Sequence, residues 1–211
     1  MRRIVFSAIG LLGAVTVGTW FIPVSDHKEH NHSHHHKSEE IDRYKVIEPF
    51  SLTDQNGEEF TLDKLEGKVW LANFVFTSCT AECPILSQRL IEVSQDLGES
   101  EDFAFVSFSV DPQTDTPQRL KQHASNFGKD PRWKLLTGNP NKLDTLIKRD
   151  FLLPAATTYH ERSEIVSTNF IHSNQMVIVD DKGMVRFYYD GMKSDSVSKL
   201  SAAMQAIFQE S

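Results

Sequence analysis

The stretch from Val69 to Phe76, VWLANFVF, constrains the fold more than any other part of the chain. It is a nearly continuous apolar run of strand length, without polar alternation. Such a run suits a strand buried on both faces, at the centre of a sheet with helices on each side. From Ala81 to Leu97 the spacing turns helical, and Leu86, Leu90, Val93 and Leu97 share one face. A second strand follows from Phe103 to Val110, FAFVSFSV. Ala104, Val106, Phe108 and Val110 make one wholly apolar face. Phe103, Phe105, Ser107 and Ser109 make the other, apolar only in its first half. Asp111-Pro112 ends that strand, and Thr116-Pro117 opens a helix with Thr116 as N-cap, running to about Phe127-Gly128.

The remaining segments continue the alternation. Trp133 to Leu136 reads as a short strand and Asn139 to Arg149 as a helix. Met176 to Asp180 and Val185 to Tyr189 form a hairpin around Asp181-Lys182-Gly183. Ser194 to Phe208 is a final helix, with Val197, Leu200, Met204 and Ile207 on one face. Ahead of the central run, Phe50 to Asp54 and Glu58 to Thr61 flank the turn Gln55-Asn56-Gly57, and Thr61 to Leu65 is expected to make one helical turn. The expected order is a hairpin, then β-α-β-α-β-α-β-β-α, over residues 47–211. Phe151 to Phe170 has weak periodicity and reads as a long loop or insert. Trp70 and Trp133 read as core, and His123 as a surface residue of its helix.

The 211 residues carry a net charge of −7, all of it beyond residue 40. An acidic balance argues against a nucleic-acid partner, which favours a basic stripe. Two cysteines are too few for a disulfide scaffold.

The N-terminus predicts a membrane anchor. Arg2 and Arg3 precede an uncharged run from Ile4 to Val24, which as a helix would span roughly 30 Å, one bilayer core. The charges flanking it favour an N-in orientation, and Trp20 and Phe21 fall at the interfacial belt. The end of the run, Gly18 to Val24, offers no small-x-small site, so residues 1–24 read as an uncleaved anchor rather than a signal peptide. The absence of a cysteine near residue 20 excludes a lipoprotein anchor. The expected location is the inner (cytoplasmic) membrane, single-pass, with the folded part on the periplasmic side. Residues 25–46 are expected to be a flexible linker. Within them Asp26 to Lys37, DHKEHNHSHHHK, holds six of the nine histidines and can capture Cu, Ni or Zn with little selectivity.

The chemistry centres on Cys79 and Cys83. The apolar strand ends at Thr77-Ser78-Cys79-Thr80-Ala81-Glu82-Cys83-Pro84. The first thiol therefore sits in the turn and the second opens the next helix, where free N–H groups and the dipole favour a thiolate. Positions i and i+4 face the same way, so the sulfurs can share one ion or close a disulfide as a redox pair.

Four ordered motifs resemble the Sco (SenC/PrrC) family: FVFTSCTAECPILSQRL, FSVDPQTDTPQRLKQHA, FGKDPRWKLLTG and FIHSNQMVIVDDKG, within residues 47–208. The resemblance implies a membrane-tethered thioredoxin-like α/β fold, a central mixed sheet flanked by helices with an extra N-terminal hairpin. It also implies one copper ion, Cu(I) or Cu(II), and a role in assembling the copper centre of respiratory cytochrome c oxidase. The partners it implies are the copper-receiving oxidase subunit, with other copper carriers or thiol reductases. The family's ligand positions are Cys79, Cys83 and His172 in this sequence. Asp111 matches a family aspartate that either orients His172 or a partner, or only forms the turn before Pro112. His160 is the lesser histidine candidate. Thr80 departs from the family's usual Pro after the first cysteine, which bears on loop stiffness rather than on the ligands.

Thiolates select Cu(I), and an added imidazole also accommodates Cu(II). The rival readings are a periplasmic thiol–disulfide oxidoreductase acting on cuproprotein cysteines, a thiol peroxidase, and a metal sensor or buffer built on the histidine tract. Three residues between the cysteines count against a general reductase. A peroxidase needs an arginine beside the thiol, and the nearest in sequence to Cys79 is Arg89.

Overall fold

The computed structural model describes residues 45–128, 130–153 and 174–211. Its elements follow the expected order. A hairpin of β1 (Ser51–Asp54) and β2 (Glu59–Thr61) leads into a single 3-10 turn, Leu62–Leu65. Then come β3 (Val69–Val75), α1 (Glu82–Asp96), β4 (Phe103–Ser109), α2 (Pro117–Ser125), β5 (Trp133–Thr137) and α3 (Pro140–Arg149). The hairpin β6 (Gln175–Val179) and β7 (Val185–Asp190) and helix α4 (Ser196–Gln209) complete it. Among the described residues, seven strands join one mixed sheet in the order β2-β1-β5-β4-β3-β6-β7.

Strand β3 lies inside the sheet, parallel to β4 and antiparallel to β6, and each of its residues is buried. This is why its sequence lacks alternation: both faces meet core. Trp70, Ala72 and Phe74 point to one side, packed with Leu143, Leu146 and Ile147 of α3. Val69, Leu71 and Val75 point to the other, packed with Leu86 and Leu90 of α1, Leu120 of α2 and Leu200 and Met204 of α4. The expected face of α1 is buried throughout: Leu86, Leu90, Val93 and Leu97. Trp70 and Trp133 are core, as read.

Three details differ from the sequence reading. Helix α2 ends at Ser125 because its last turn tightens: Asn126 N–H bonds the His123 carbonyl, Phe127 N–H bonds the Ala124 carbonyl, and Gly128 takes φ 105°. Phe151, the first residue of the expected insert, is core. Its ring packs on those of Phe74 and Phe108 with centroids 5.3 and 5.2 Å away. His123 is buried rather than on the surface, its Nε2 3.0 Å from Ser87 Oγ on α1 and its ring against Phe127. Burial lowers its pKa from the ordinary value.

Among the described residues no helix is long and apolar enough to cross a membrane. The expected anchor, the histidine tract and most of the expected insert, with His160 and His172, lie outside the described residues.

Candidate metal centre

The thiol pair sits where β3 passes into α1. Cys79 is half-buried, Cys83 buried, and both are free thiols. The turn leading to Cys79 is closed by the Cys79 N–H donating to the Phe76 carbonyl at 2.9 Å. Helix α1 has no side-chain cap at Ala81. Its first N–H groups would be unpaired, and the Cys79 sulfur takes the place of a cap.

The two thiols differ in their electrostatics. For Cys79 the largest single influence is burial, which opposes ionisation. The backbone N–H groups of Cys83, Ala81 and Glu82 and the Cys83 thiol together outweigh it, and the pKa falls below the ordinary thiol value. Cys83 is pushed up to about 12, chiefly by burial. The Phe76 backbone opposes that rise, while Cys79 and the charge of Asp115 add to it. In the absence of an ion, one sulfur is held toward thiolate and the other protonated. Two soft sulfur donors in mutual contact, one reachable from solvent, fit a soft cation such as Cu(I), and they can also close as a disulfide.

Asp115 is the residue that sequence reasoning missed. It is fully buried in the loop between β4 and α2. Its Oδ1 accepts the Thr77 N–H at 3.0 Å and the Thr77 hydroxyl at 2.5 Å. Its Oδ2 accepts the Ser109 hydroxyl at 2.6 Å. Burial raises its pKa, and the Ser109 and Thr77 hydrogen bonds oppose that rise. Asp111 is buried as well, with its carbonyl accepting from the N–H groups of Thr114 and Asp115, so its turn-forming role is present. Nor was Arg119 foreseen beside the thiol turn. Its Nη2 donates to Ser78 Oγ at 3.2 Å, which brings an arginine of α2 to the residue next to Cys79.

The third expected ligand, His172, lies outside the described residues, three positions before β6. Trp70 pairs with Val179 and Ala72 with Val177. The chain therefore enters β6 from the edge of the sheet where β3 ends, the edge carrying the cysteine turn. Among the described residues no group of three His, Cys, Asp or Glu side chains is placed to hold a metal ion.

Comparison with known proteins gives one answer. The SCO1/SenC family pattern matches residues 38–208. A SCO1 protein homolog of Bacillus subtilis is 31% identical over 154 residues, covering 71% of this chain and 80% of the relative. The solved structure of BsSco, described as a member of the Sco family of cytochrome c oxidase assembly proteins with a disulfide switch, has a TM-score of 0.68 and 26% identity; the match covers 80% of this chain and 96% of BsSco. Copper-bound ScoI of Bradyrhizobium japonicum has a TM-score of 0.58 and 25% identity, over 77% of this chain and 99% of that one. The architecture of a central mixed sheet flanked by helices is that of these Sco structures. By the family match and the Bacillus relative, the chain belongs to the SCO1/SenC family.

Proposed function

We propose that this protein carries copper to a respiratory cytochrome c oxidase, with Cys79, Cys83 and His172 as its ligands. The observation that carries the reading is the pair of free thiols at the start of α1. Family membership supports it, as do a copper-bound ScoI structure and the description of BsSco as an oxidase assembly protein. Copper is cargo here. A delivery site must hold the ion yet yield it to the ligands of the receiving subunit, and a half-exposed Cys79 gives such a partner a way in. Cys79 is the sulfur a recipient reaches first, and Cys83 holds the ion from the protein side. His172 is assigned from the family motif and supplies the imidazole that Cu(II) favours.

A second reading is favoured by the unequal thiols. A sulfur held toward thiolate beside a protonated one suits disulfide exchange, in which Cys79 attacks a partner's disulfide and Cys83 resolves the mixed disulfide. One dithiol can do both, reducing the recipient's cysteines and then loading them.

The same proposal places residues 1–24 in the cytoplasmic membrane as an anchor, residues 25–46 as a linker, and residues 47–211 on the periplasmic side as the copper-binding domain. Protease added to intact spheroplasts would then digest the folded domain, and protection of that domain would refute the placement.

The direct test is anaerobic Cu(I) titration of residues 41–211, which omit the histidine tract, followed by the spectrum of the Cu(II) form. One tightly bound ion and a thiolate-to-Cu(II) charge-transfer band are expected. Cys79→Ser and Cys83→Ser should each abolish tight Cu(I) binding. His172→Ala should weaken Cu(I) binding and change the Cu(II) spectrum most. Stoichiometric tight binding by either serine variant would overturn the site. Rapid disulfide exchange without copper uptake would favour the second reading.

A further inference from the structure

We propose that Asp115 is the positioning residue of the Cys79/Cys83 pair, an inference that rests on the copper and thiol reading of that site. Asp115 belongs to the loop between β4 and α2, 36 positions beyond Cys79 in sequence. Its carboxylate nevertheless ties together the segments that frame the thiols. Oδ1 takes both the backbone N–H and the hydroxyl of Thr77, at 3.0 and 2.5 Å. Oδ2 takes the Ser109 hydroxyl at 2.6 Å, and Ser109 Oγ in turn accepts the Asp111 N–H at 3.1 Å. The backbone N–H of Asp115 donates to the Asp111 carbonyl at 2.8 Å, which fixes the loop that presents it.

Thr77 is the point of leverage. It is the second residue past the end of β3 and lies inside the turn that the Cys79 N–H to Phe76 carbonyl bond closes. The sheet ladder holds β3 only to Val75. From there to the start of α1 at Glu82, the Thr77–Asp115 bonds anchor the chain to β4, and the Cys79 N–H to Phe76 carbonyl bond closes the turn. A carboxylate meets the donor count without rearrangement. Three donors converge on one side chain, and two ionised oxygens can accept them all. An amide would offer one acceptor oxygen and two N–H groups of its own, so the Ser109 hydroxyl would have to turn and accept instead of donating, in a site without exposure to water. Arg119 acts on the same turn from the solvent side through Ser78 Oγ, at 3.2 Å. The turn is gripped from two elements, one buried and one exposed. Asp115 touches neither sulfur through a hydrogen bond, so it acts through Thr77 and through its charge near Cys83.

The test uses the full chain and two readouts that report only on the thiols: the thiolate-to-Cu(II) charge-transfer band and the midpoint potential of the Cys79–Cys83 dithiol/disulfide couple. The histidine tract contributes to neither. In Asp115→Asn the band should shift or lose intensity. The dithiol/disulfide equilibrium constant should change by about tenfold, about 30 mV for this two-electron couple. Thr77→Val removes a single hydroxyl donor and should move both readouts the same way by less. It carries the test if Asp115→Asn does not fold. A folded Asp115→Asn or Thr77→Val variant with both readouts at wild-type values overturns the proposal. A wild-type chain without the charge-transfer band would instead sink the copper reading, while the potential would still decide the role of Asp115.

Discussion

Gly191 follows β7 at the edge of the sheet that carries the thiols, and its N–H donates to the Asn174 carbonyl at 2.8 Å. A methyl group added there would stand 2.5 Å from Leu86 Cδ2, 2.8 Å from Met176 Sδ and 3.0 Å from Met176 Cγ. Carbon atoms in contact prefer about 3.5–4.0 Å, so Leu86 would have to retreat by about 1 Å. It has little room, since Leu86 is 2% and Met176 0% exposed. Gly191→Ala should therefore behave as overpacking and cost about 2 kcal/mol, or about 4–8 °C in Tm for a domain of this size. Urea denaturation measures it directly, and a double-mutant cycle with Leu86→Ala isolates the cause. Leu86→Ala alone should cost about 2–5 kcal/mol by leaving a cavity. In the double variant the new methyl enters that cavity, so the two costs should fall short of additivity by at least about 1 kcal/mol. Additivity within about 0.5 kcal/mol would show that the methyl and Leu86 do not compete for space, and would refute the reasoning.

Other outcomes follow from the same geometry. Iodoacetamide at pH 8 should label Cys79 well before Cys83, since one thiol is lowered and the other pushed up to about 12; peptide mass spectrometry would expose equal rates or the reverse order. His123 has a native pKa below the ordinary 6.5, so the unfolded chain takes up its proton first as pH falls. Its contribution to stability is complete above about pH 6.5 and is lost on acidification from there to the native pKa, at up to about 1.4 kcal/mol per pH unit. His123→Gln should flatten that part of the stability profile, and an unchanged slope would assign it to other groups. Trp133→Phe removes the bond from Nε1 to Ser107 Oγ, 2.8 Å long and buried, and should cost about 1–2 kcal/mol in urea denaturation. A cost near zero would mean that the Trp133–Ser107–Asn73 network adds nothing to stability.

The sheet was legible because its inner strands are unusual in sequence. VWLANFVF lacks the polar alternation of a half-exposed strand and FAFVSFSV shows it only in its second half, and β3 and β4 prove buried along their length. The capped start of α2 was equally legible, and Thr116 Oγ1 does accept the Arg119 N–H, at 3.4 Å. The thiol pair announced itself by spacing at a strand–helix junction. What stayed hidden depends on distant contacts. Asp115 reaches Thr77 across 38 positions and Arg119 reaches Ser78 across 41. Nothing local separates Asp115 from Asp111, which shares its loop and sits beside a turn-forming proline. His123 was misjudged for a similar reason. Its helix is polar in sequence, and the Ser87 that buries it belongs to α1, 36 positions away.

The way β1 is placed also sets the order in which the molecule can assemble. Thr53 pairs with Thr137, so the opening hairpin has no partner until the fifth strand has docked. The turn holding the thiols likewise waits for Asp115, which arrives with the segment after β4. Until then the turn of Cys79 lacks its anchor at Thr77, and the burial of the second sulfur is incomplete. Long-range closures of this kind are slow relative to helix formation. The burial that sets Cys83 apart from Cys79 is thus a property the chain acquires late.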